Sequence, residues 1–272
     1  MFTPQTPSLK ADLAKGLSCD VVWLALGSPA LTEMAARSGP GAIVLDLQHG
    51  LFDRSALEAA VGCAAPAVPV LTRVAGNDAL SIATGLDCGA AGVIVPMIET
   101  ADAARAALAQ ARFPPHGRRS AGGVRMLTDM AGYMAGIGGA PVIAVMIETA
   151  AGLDAAEAIA AVEGVDLVFI GTGDLAISLG VAPGDPALEA ACARVLAACR
   201  AAGRPCGIFT PNAADAARRR VQGYQLVVSA NDISLVAEGL AAARGVMDAC
   251  PQAKGATRQQ GAARRPAREG AK

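Results

Sequence analysis

Apolar runs rich in β-branched residues recur along the chain at roughly the 25-to-40-residue spacing of βα units, each followed by an alanine-rich helical stretch. Strands are predicted at Val21 to Leu26, Ala42 to Leu47, Val68 to Val74, Gly92 to Val95, Val142 to Ile147, Leu167 to Ile170, Cys206 to Phe209 and Leu226 to Val228. Helices are expected after each, most clearly over Thr100 to Ala111 and Pro186 to Ala202. Parallel strands buried on both faces and separated by helices predict an α/β chain folded as a (β/α)8 TIM barrel, whose chemistry sits on the loops after the strands. A doubly wound open sheet is the competing architecture, but no G-x-G-x-x-G follows the first strand. Residues 1–250 are read as one barrel domain, and 251–272 as a basic disordered tail.

Several strands deliver polar residues at their C-terminal ends. Ile43 to Leu45 runs into Asp46-Leu47-Gln48-His49, Val142 to Ile147 into Glu148, and Leu167 to Ile170 into Gly171-Thr172-Gly173-Asp174, while Arg73 leaves the third strand. In a parallel barrel these exits meet on one face. One internal echo complicates the assignment: Val93 to Thr100 resembles Val142 to Thr149, so Glu99 and Glu148 are equal candidates for a ligand, or for a solvated carboxylate in a first helical turn. The glycine-rich insertion from Arg112 to Gly139 has the length of a functional loop or lid.

Composition narrows the chemistry. The lysines are Lys10, Lys15, Lys254 and Lys272, all outside the stretch between the first strand and the last helix. A buried Schiff-base lysine is thereby excluded, and with it lysine-dependent aldolases and pyridoxal-phosphate enzymes. No G-x-x-x-x-G-K-[ST] loop is present. The seven cysteines form no C-x-x-C pair and no zinc-ligand spacing, which reads as reduced, mostly buried thiols in a reducing compartment. No apolar stretch reaches membrane-span length and no basic segment leads into an apolar one at the N-terminus, so a cytoplasmic protein with no membrane partner is expected. The net charge of −1 hides an asymmetry: the six cations after Pro251 against Glu269 give the tail +5 and leave the body at −6. Without interleaved aromatics, the tail reads as solvated rather than as a nucleic-acid arm.

Two carboxylates in a barrel mouth repel each other and lose hydration, and a divalent cation relieves both costs. Oxygen ligands point to Mg²⁺ or Mn²⁺, with Co²⁺ as an alternative, rather than to zinc. Two protein ligands leave positions open for water and a chelating 2-oxo acid. Arg73 can bind a carboxylate or steady an enolate oxygen, or it can form a structural salt bridge. His49 is a candidate base, held in one tautomer by Asp46 or by Asp87. His116 lies in a Pro-Pro turn and reads as solvated. Gly171 to Asp174 offers backbone N–H groups beside a carboxylate at a helix start, suited to an anionic substrate, with a mere helix cap as the lesser alternative for Asp174.

The ordered set of Trp23 with Gly27-Ser28-Pro29, Asp46-Leu47-Gln48-His49, Arg73 with Asn77-Asp78, Leu86 to Gly89, Val95-Pro96-Met97, Phe113-Pro114-Pro115 with Gly117 and Arg119, Ile147-Glu148-Thr149, and Glu163 to Asp166 leading to Phe169-Ile170-Gly171 and Asp174-Leu175 resembles the HpcH/HpaI-type class II 2-oxo acid aldolases over roughly residues 8–248. The resemblance implies a barrel in which Glu148 and Asp174 hold the metal. Arg73 and the backbone around Gly171, Thr172 and Gly173 would bind pyruvate, with Trp23 and Arg119 also on the substrate, and His49 with Asp87 and Asp46 would manage protons. Glu99 then becomes an outer or helix-start residue. It also implies a homo-oligomer, a hexamer, in which a C-terminal helix over Asn231 to Ala249 is exchanged between subunits. The chain departs from the common pattern at Gln48, where many of these aldolases carry Glu, at Met146 in place of a Gln, at Thr172-Gly173 in place of Pro-Ala, and in the basic segment Arg118 to Arg125.

The expected activity is cleavage of a 4-hydroxy-2-oxo acid to pyruvate and an aldehyde, in aromatic-compound or sugar-acid catabolism. The alternatives are a CoA-thioester lyase of the citrate lyase β-chain or malyl-CoA lyase type, although the R-S-x-L-F motif of that branch has no equivalent here, and a catalytically silent barrel subunit.

Overall fold

Side chains on a strand alternate between its two faces, so a closed barrel sorts each strand into an inward and an outward set. The computed structural model, which describes residues 9–125, 127, 131 and 140–250, has this arrangement. Parallel strands β1 (Cys19–Leu24), β2 (Ala42–Asp46), β3 (Val70–Arg73), β4 (Gly92–Val95), β5 (Val142–Ile147), β6 (Leu167–Ile170), β7 (Cys206–Ile208) and β8 (Leu226–Asn231) close in chain order, β8 pairing with β1. The expected (β/α)8 architecture is the one found, and β4, β5 and β6 have the predicted limits. β3 begins two residues later than expected, after Pro69, which has no N–H for the ladder and contributes its carbonyl to Ile43 instead.

The inward set is Val21, Trp23, Ala42, Val44, Leu71, Ile94, Val142, Ala144, Met146, Leu167, Phe169, Leu226 and Val228, all in one buried cluster. Phe169 fills the centre because its β7 neighbour is Gly207, where a Cβ would lie 2.6 Å from the Phe169 ring. The alternate residues, among them Ile43, Val70, Val93, Val145, Ile147, Val168 and Val227, pack outward under the helices. At the N-terminal end, α1 (Leu9–Ala14) adds Leu9 and Leu13 to the interior cluster.

The outer helices are α2 (Pro29–Arg37), α3 (Arg54–Ala64), α4 (Ala79–Asp87), α5 (Ala101–Ala111), α6 (Ala150–Asp154), α7 (Ala156–Ala160), α8 (Thr172–Leu179), α9 (Pro186–Ala201) and α10 (Ala213–Gln222), followed by α11 (Asp232–Ala249). Most start on a designed stop. Ser28, Asp53, Asp78, Thr100, Thr149, Asp185 and Asn212 each accept a backbone N–H from the first turn they precede. The helix after β6 differs, because Gly171 in the capping position has no side chain to give.

The first compact unit runs to Leu235 and includes the start of α11, where buried Asp232 accepts the N–H groups of Ala25 and Leu26. The second begins at Val236; within it α11 exposes Val236, Leu240, Val246 and Met247. The basic tail 251–272 lies outside the described residues, as does part of the insertion read as a lid. Among the described residues no helix is long and apolar enough to cross a membrane.

Candidate active site

The inward parity that builds the core also builds the mouth. One step beyond Val44, Leu71, Met146 and Phe169 along their strands, the next inward positions are Asp46, Arg73, Glu148 and Gly171. Asp46 and Arg73 are register partners on β2 and β3, so their side chains meet directly. Arg73 Nε donates to Asp46 Oδ1 at 2.9 Å and its Nη2 donates to Oδ2. Asp46 Oδ1 also accepts the N–H of Gln48 (3.0 Å) and of His49 (3.2 Å), and Trp23 Nε1 donates to Oδ2 at 3.4 Å. Burial alone would raise the Asp46 pKa, but the guanidinium and these N–H groups hold it below the usual carboxylate range. The Arg73 guanidinium lies 5.0 Å from the Trp23 ring centroid, and Trp23 packs against Phe169 (5.7 Å) and edge-on against Phe209 (5.6 Å). The floor of the mouth is aromatic.

Glu148 is 1% exposed. Its Oε1 accepts the Met97 N–H at 2.8 Å, while Oε2 is buried with no hydrogen-bond partner among the described residues. Gly171 makes that position habitable, since a Cβ there would stand 2.6 Å from Oε2. Burial raises the Glu148 pKa, the Met97 N–H opposes it and the neighbouring Asp174 carboxylate adds a smaller push upward, so that the group stands at about 7. Asp174 lies in the first turn of α8, and Thr172 Oγ1 ties that turn to the Phe209 carbonyl at 3.1 Å. Among the described residues nothing accepts from the N–H groups of Thr172, Gly173 and Asp174. An uncapped helix start therefore stands beside two carboxylates, one with an unused oxygen.

Trp23, Asp46, His49, Arg73, Glu148, Gly171, Thr172, Gly173 and Asp174 are thus brought to one end of the barrel, as expected. Two expected residues are not. Asp87 is the last residue of α4, which runs back from the mouth, and Arg119 follows the end of α5; they pair with each other (2.6 Å) at the opposite end. Arg119 is buried there and stacks 4.9 Å from the Phe113 ring centroid. A strand length separates them from Arg73 within this chain, about 13 Å for four residues at 3.3 Å each. Asp46 meets His49 through the His49 backbone, so neither aspartate binds the imidazole, which is exposed. Both readings of Arg73 coexist: it forms the salt bridge, and its Nη1 has no acceptor among the described residues.

The ambiguity between Glu99 and Glu148 resolves through register. The sequence echo aligns Ile94 with Ile143, but the sheet pairs Ile94 with Ala144. A slip of one residue reverses the face. Pro96 and the left-handed Met97 (φ 56°) then end the alternation, Ile98 is buried in the outer cluster, and Glu99 is exposed. Sequence reasoning missed Met97 as a partner of Glu148; a left-handed backbone is readable in advance at glycine, not at methionine. Phe209, the other unforeseen contributor, is the last residue of the seventh predicted strand, where its pattern gives no sign of contact with Trp23.

A closed parallel barrel whose C-terminal mouth gathers an Asp–Arg pair, a histidine and two adjacent carboxylates is an enzyme of the (β/α)8 class. The profile of the HpcH/HpaI aldolase/citrate lyase family matches residues 20–238, and the chain belongs to that family. It is 38% identical over 220 residues, 76% of this chain and 82% of the relative, to a protein from Novosphingobium aromaticivorans named 4-hydroxy-2-oxovalerate aldolase. It is 34% identical over 217 residues, 78% and 85% of the two chains, to one from Salmonella paratyphi A named 5-keto-4-deoxy-D-glucarate aldolase. Among solved structures, an HpcH/HpaI aldolase/citrate lyase family protein from Burkholderia cenocepacia J2315 superposes with a TM-score of 0.83 at 33% identity, covering 89% of this chain and all of that one.

Proposed function

We propose that this chain is a divalent-metal-dependent aldolase that cleaves a 4-hydroxy-2-oxo acid to pyruvate and an aldehyde, reversibly. The observation that carries the reading is the unpartnered Glu148 Oε2, buried beside Asp174 under the uncapped start of α8. Two carboxylates packed this way need either a shared proton or a cation, and an all-oxygen donor set suits Mg²⁺ or Mn²⁺. Glu148 and Asp174 would hold the ion. Bound there, it would polarise the 2-oxo group and stabilise negative charge on its oxygen.

The chain's own residues supply the rest. The N–H groups of Thr172, Gly173 and Asp174 bind the substrate carboxylate. Arg73, held by Asp46 through Nε and Nη2, presents Nη1 to the 2-oxo oxygen. His49, whose loop is fixed by the bond from its N–H to Asp46, takes the 4-hydroxyl proton. The C3–C4 bond then breaks, its electron pair passing to the pyruvate enolate while C4 leaves as the aldehyde carbon. A proton delivered to C3 completes pyruvate. The relatives' names carry aldehyde fragments of different kinds, since 4-hydroxy-2-oxovalerate ends in a methyl group and 5-keto-4-deoxy-D-glucarate in a second carboxylate.

The exposed apolar residues of α11 suit a homo-oligomer, a hexamer in which this helix is exchanged between subunits. A cytoplasmic enzyme agrees with the free cysteines. The test is proton exchange at the pyruvate methyl group in D₂O, followed by NMR with Mn²⁺ or Mg²⁺ and with EDTA. Metal-dependent deuteration is expected; its absence with cation bound would refute the pyruvate reading and favour a CoA-thioester lyase.

A further inference from the structure

We infer that a cavity at the end of the barrel opposite the mouth binds an organic acid, a carboxylate carried on an apolar or aromatic body. The cavity measures about 350 Å³ and lies beside the start of β5, between the end of α5 and α1. That volume is in the range of small-molecule sites, which are mostly apolar with a few convergent polar groups. Its walls fit the description: Phe113 and Ile143 belong to an apolar lining, and Lys10, Arg112, His116 and Arg119 interrupt it. No Asp or Glu among the described residues lines it. In a body of net charge −6, a cavity whose charged lining is basic throughout is a focus for anions.

Two of the cations are matched by carboxylates set back from the cavity. Lys10 Nζ lies 3.0 Å from Asp166, whose Oδ2 also accepts the Ile143 N–H, and Arg119 pairs with Asp87. Arg112 is not matched. Half-buried, it donates through Nη2 to the Gly164 carbonyl at 2.8 Å and forms no ion pair among the described residues. Gly164 is shaped to that contact, with φ 94° and a Cβ position that would stand 2.5 Å from Nη2. Glu163, one residue earlier, is exposed and pairs with no cation among the described residues. A carbonyl offers only a partial charge to a guanidinium that has lost part of its water, so the cavity keeps an excess of positive charge.

Arg118, next to Arg119 in the chain, is exposed and without an ion pair among the described residues, which adds to that excess. The Phe113 ring is held in place by the Arg119 guanidinium, 4.9 Å from its centroid. A carboxylate on Arg112 would gain charge-assisted hydrogen bonds, and an apolar body would cover Phe113 and Ile143. Inorganic phosphate would answer the charge and leave the apolar wall wet; an organic acid answers both.

The experiment titrates the full chain with phenylacetate, its neutral isostere phenylacetamide and inorganic phosphate, followed by ligand-observed NMR, with and without saturating Mg²⁺ and pyruvate. Phenylacetate should bind at least about tenfold tighter than either other probe, with or without pyruvate. Arg112→Gln should weaken it by about fivefold or more, and so should His116→Asp, which reverses charge at an exposed side chain and leaves the bond to Gly164 in place. Phenylacetamide or phosphate binding as well as phenylacetate would overturn the organic acid. Phenylacetate binding that pyruvate abolishes, or that both variants leave unmoved, would overturn the cavity as its site.

Discussion

Replacing Glu148 by Gln should stabilise the metal-free protein and abolish cation binding, a pairing that separates a functional carboxylate from a structural one. Burial raises the Glu148 pKa from 4.5 to about 7 in the fold. A raised carboxyl pKa means that the folded state holds a proton which the unfolded state has released, so stability falls as pH rises between the two values. The penalty is small below pH 4.5, grows toward pH 7 and is complete above it. The shift of about 2.5 units, at 1.36 kcal/mol each, makes it about 3 kcal/mol at pH 8 and about 1 kcal/mol at pH 5.

Glutamine carries no such penalty. Its oxygen can keep the Met97 N–H, and its amide can donate toward Asp174. Glu148→Gln should therefore gain about 3 kcal/mol in EDTA at pH 8, or roughly 6 to 12 °C in Tm, and only about a third of that at pH 5. Thermal and urea unfolding at the two pH values measure it. Adding Mn²⁺ at 100 times its Kd should raise wild-type stability by about 2.7 kcal/mol and leave the variant unmoved. A variant no more stable than wild type at pH 8, or one whose gain is the same at both pH values, would refute the reasoning.

Gly171→Ala should weaken Mn²⁺ binding by roughly tenfold or more, measured by EPR, because the new Cβ stands 2.6 Å from Glu148 Oε2. His49→Ala should lower the cleavage kcat by about 10² to 10⁴ while Mn²⁺ affinity stays within about twofold, since the two carboxylates rather than the imidazole would hold the ion; an unchanged kcat would remove His49 from the mechanism. Asp46→Ala leaves Arg73 charged and largely buried without its partner, and should cost about 3 to 5 kcal/mol in urea unfolding. Toward a thiol reagent Cys63 and Cys250 should react first, whereas Cys88 and Cys192, buried and pushed up to about 11 by desolvation, should wait for unfolding.

The barrel was legible because its signal is repeated: each strand is a buried run bounded by a helix start, and β4, β5 and β6 could be delimited to the residue from hydrophobicity alone. The carboxylates at the strand exits were legible for the same reason, since a charge ending a buried run has no structural purpose that a neutral residue would not serve better. What the sequence left open was register. Glu99 and Glu148 sit in matching octets, and only the pairing of Ile94 with Ala144 rather than Ile143 decides which one turns inward. A single chain's pattern carries the period of a strand but not its phase against a neighbour.

The same reasoning separates Asp87 from Asp46. Asp46 ends a strand, and its inward direction follows from Val44 two residues earlier. Asp87 ends a helix that has already returned to the far end of the barrel, where the structure gives it Arg119. Position in the βα unit, not residue type or proximity in a motif, determines which aspartate can reach the mouth within one chain. Met97 marks the limit of that rule. It lies past the last β4 residue, where alternation has stopped, and its contribution to Glu148 comes from a backbone conformation that its side chain disfavours. Strand parity therefore accounts for the aromatic floor of the site and for Asp46 and Glu148 on its walls, while the loop residues above them follow from the three-dimensional structure alone.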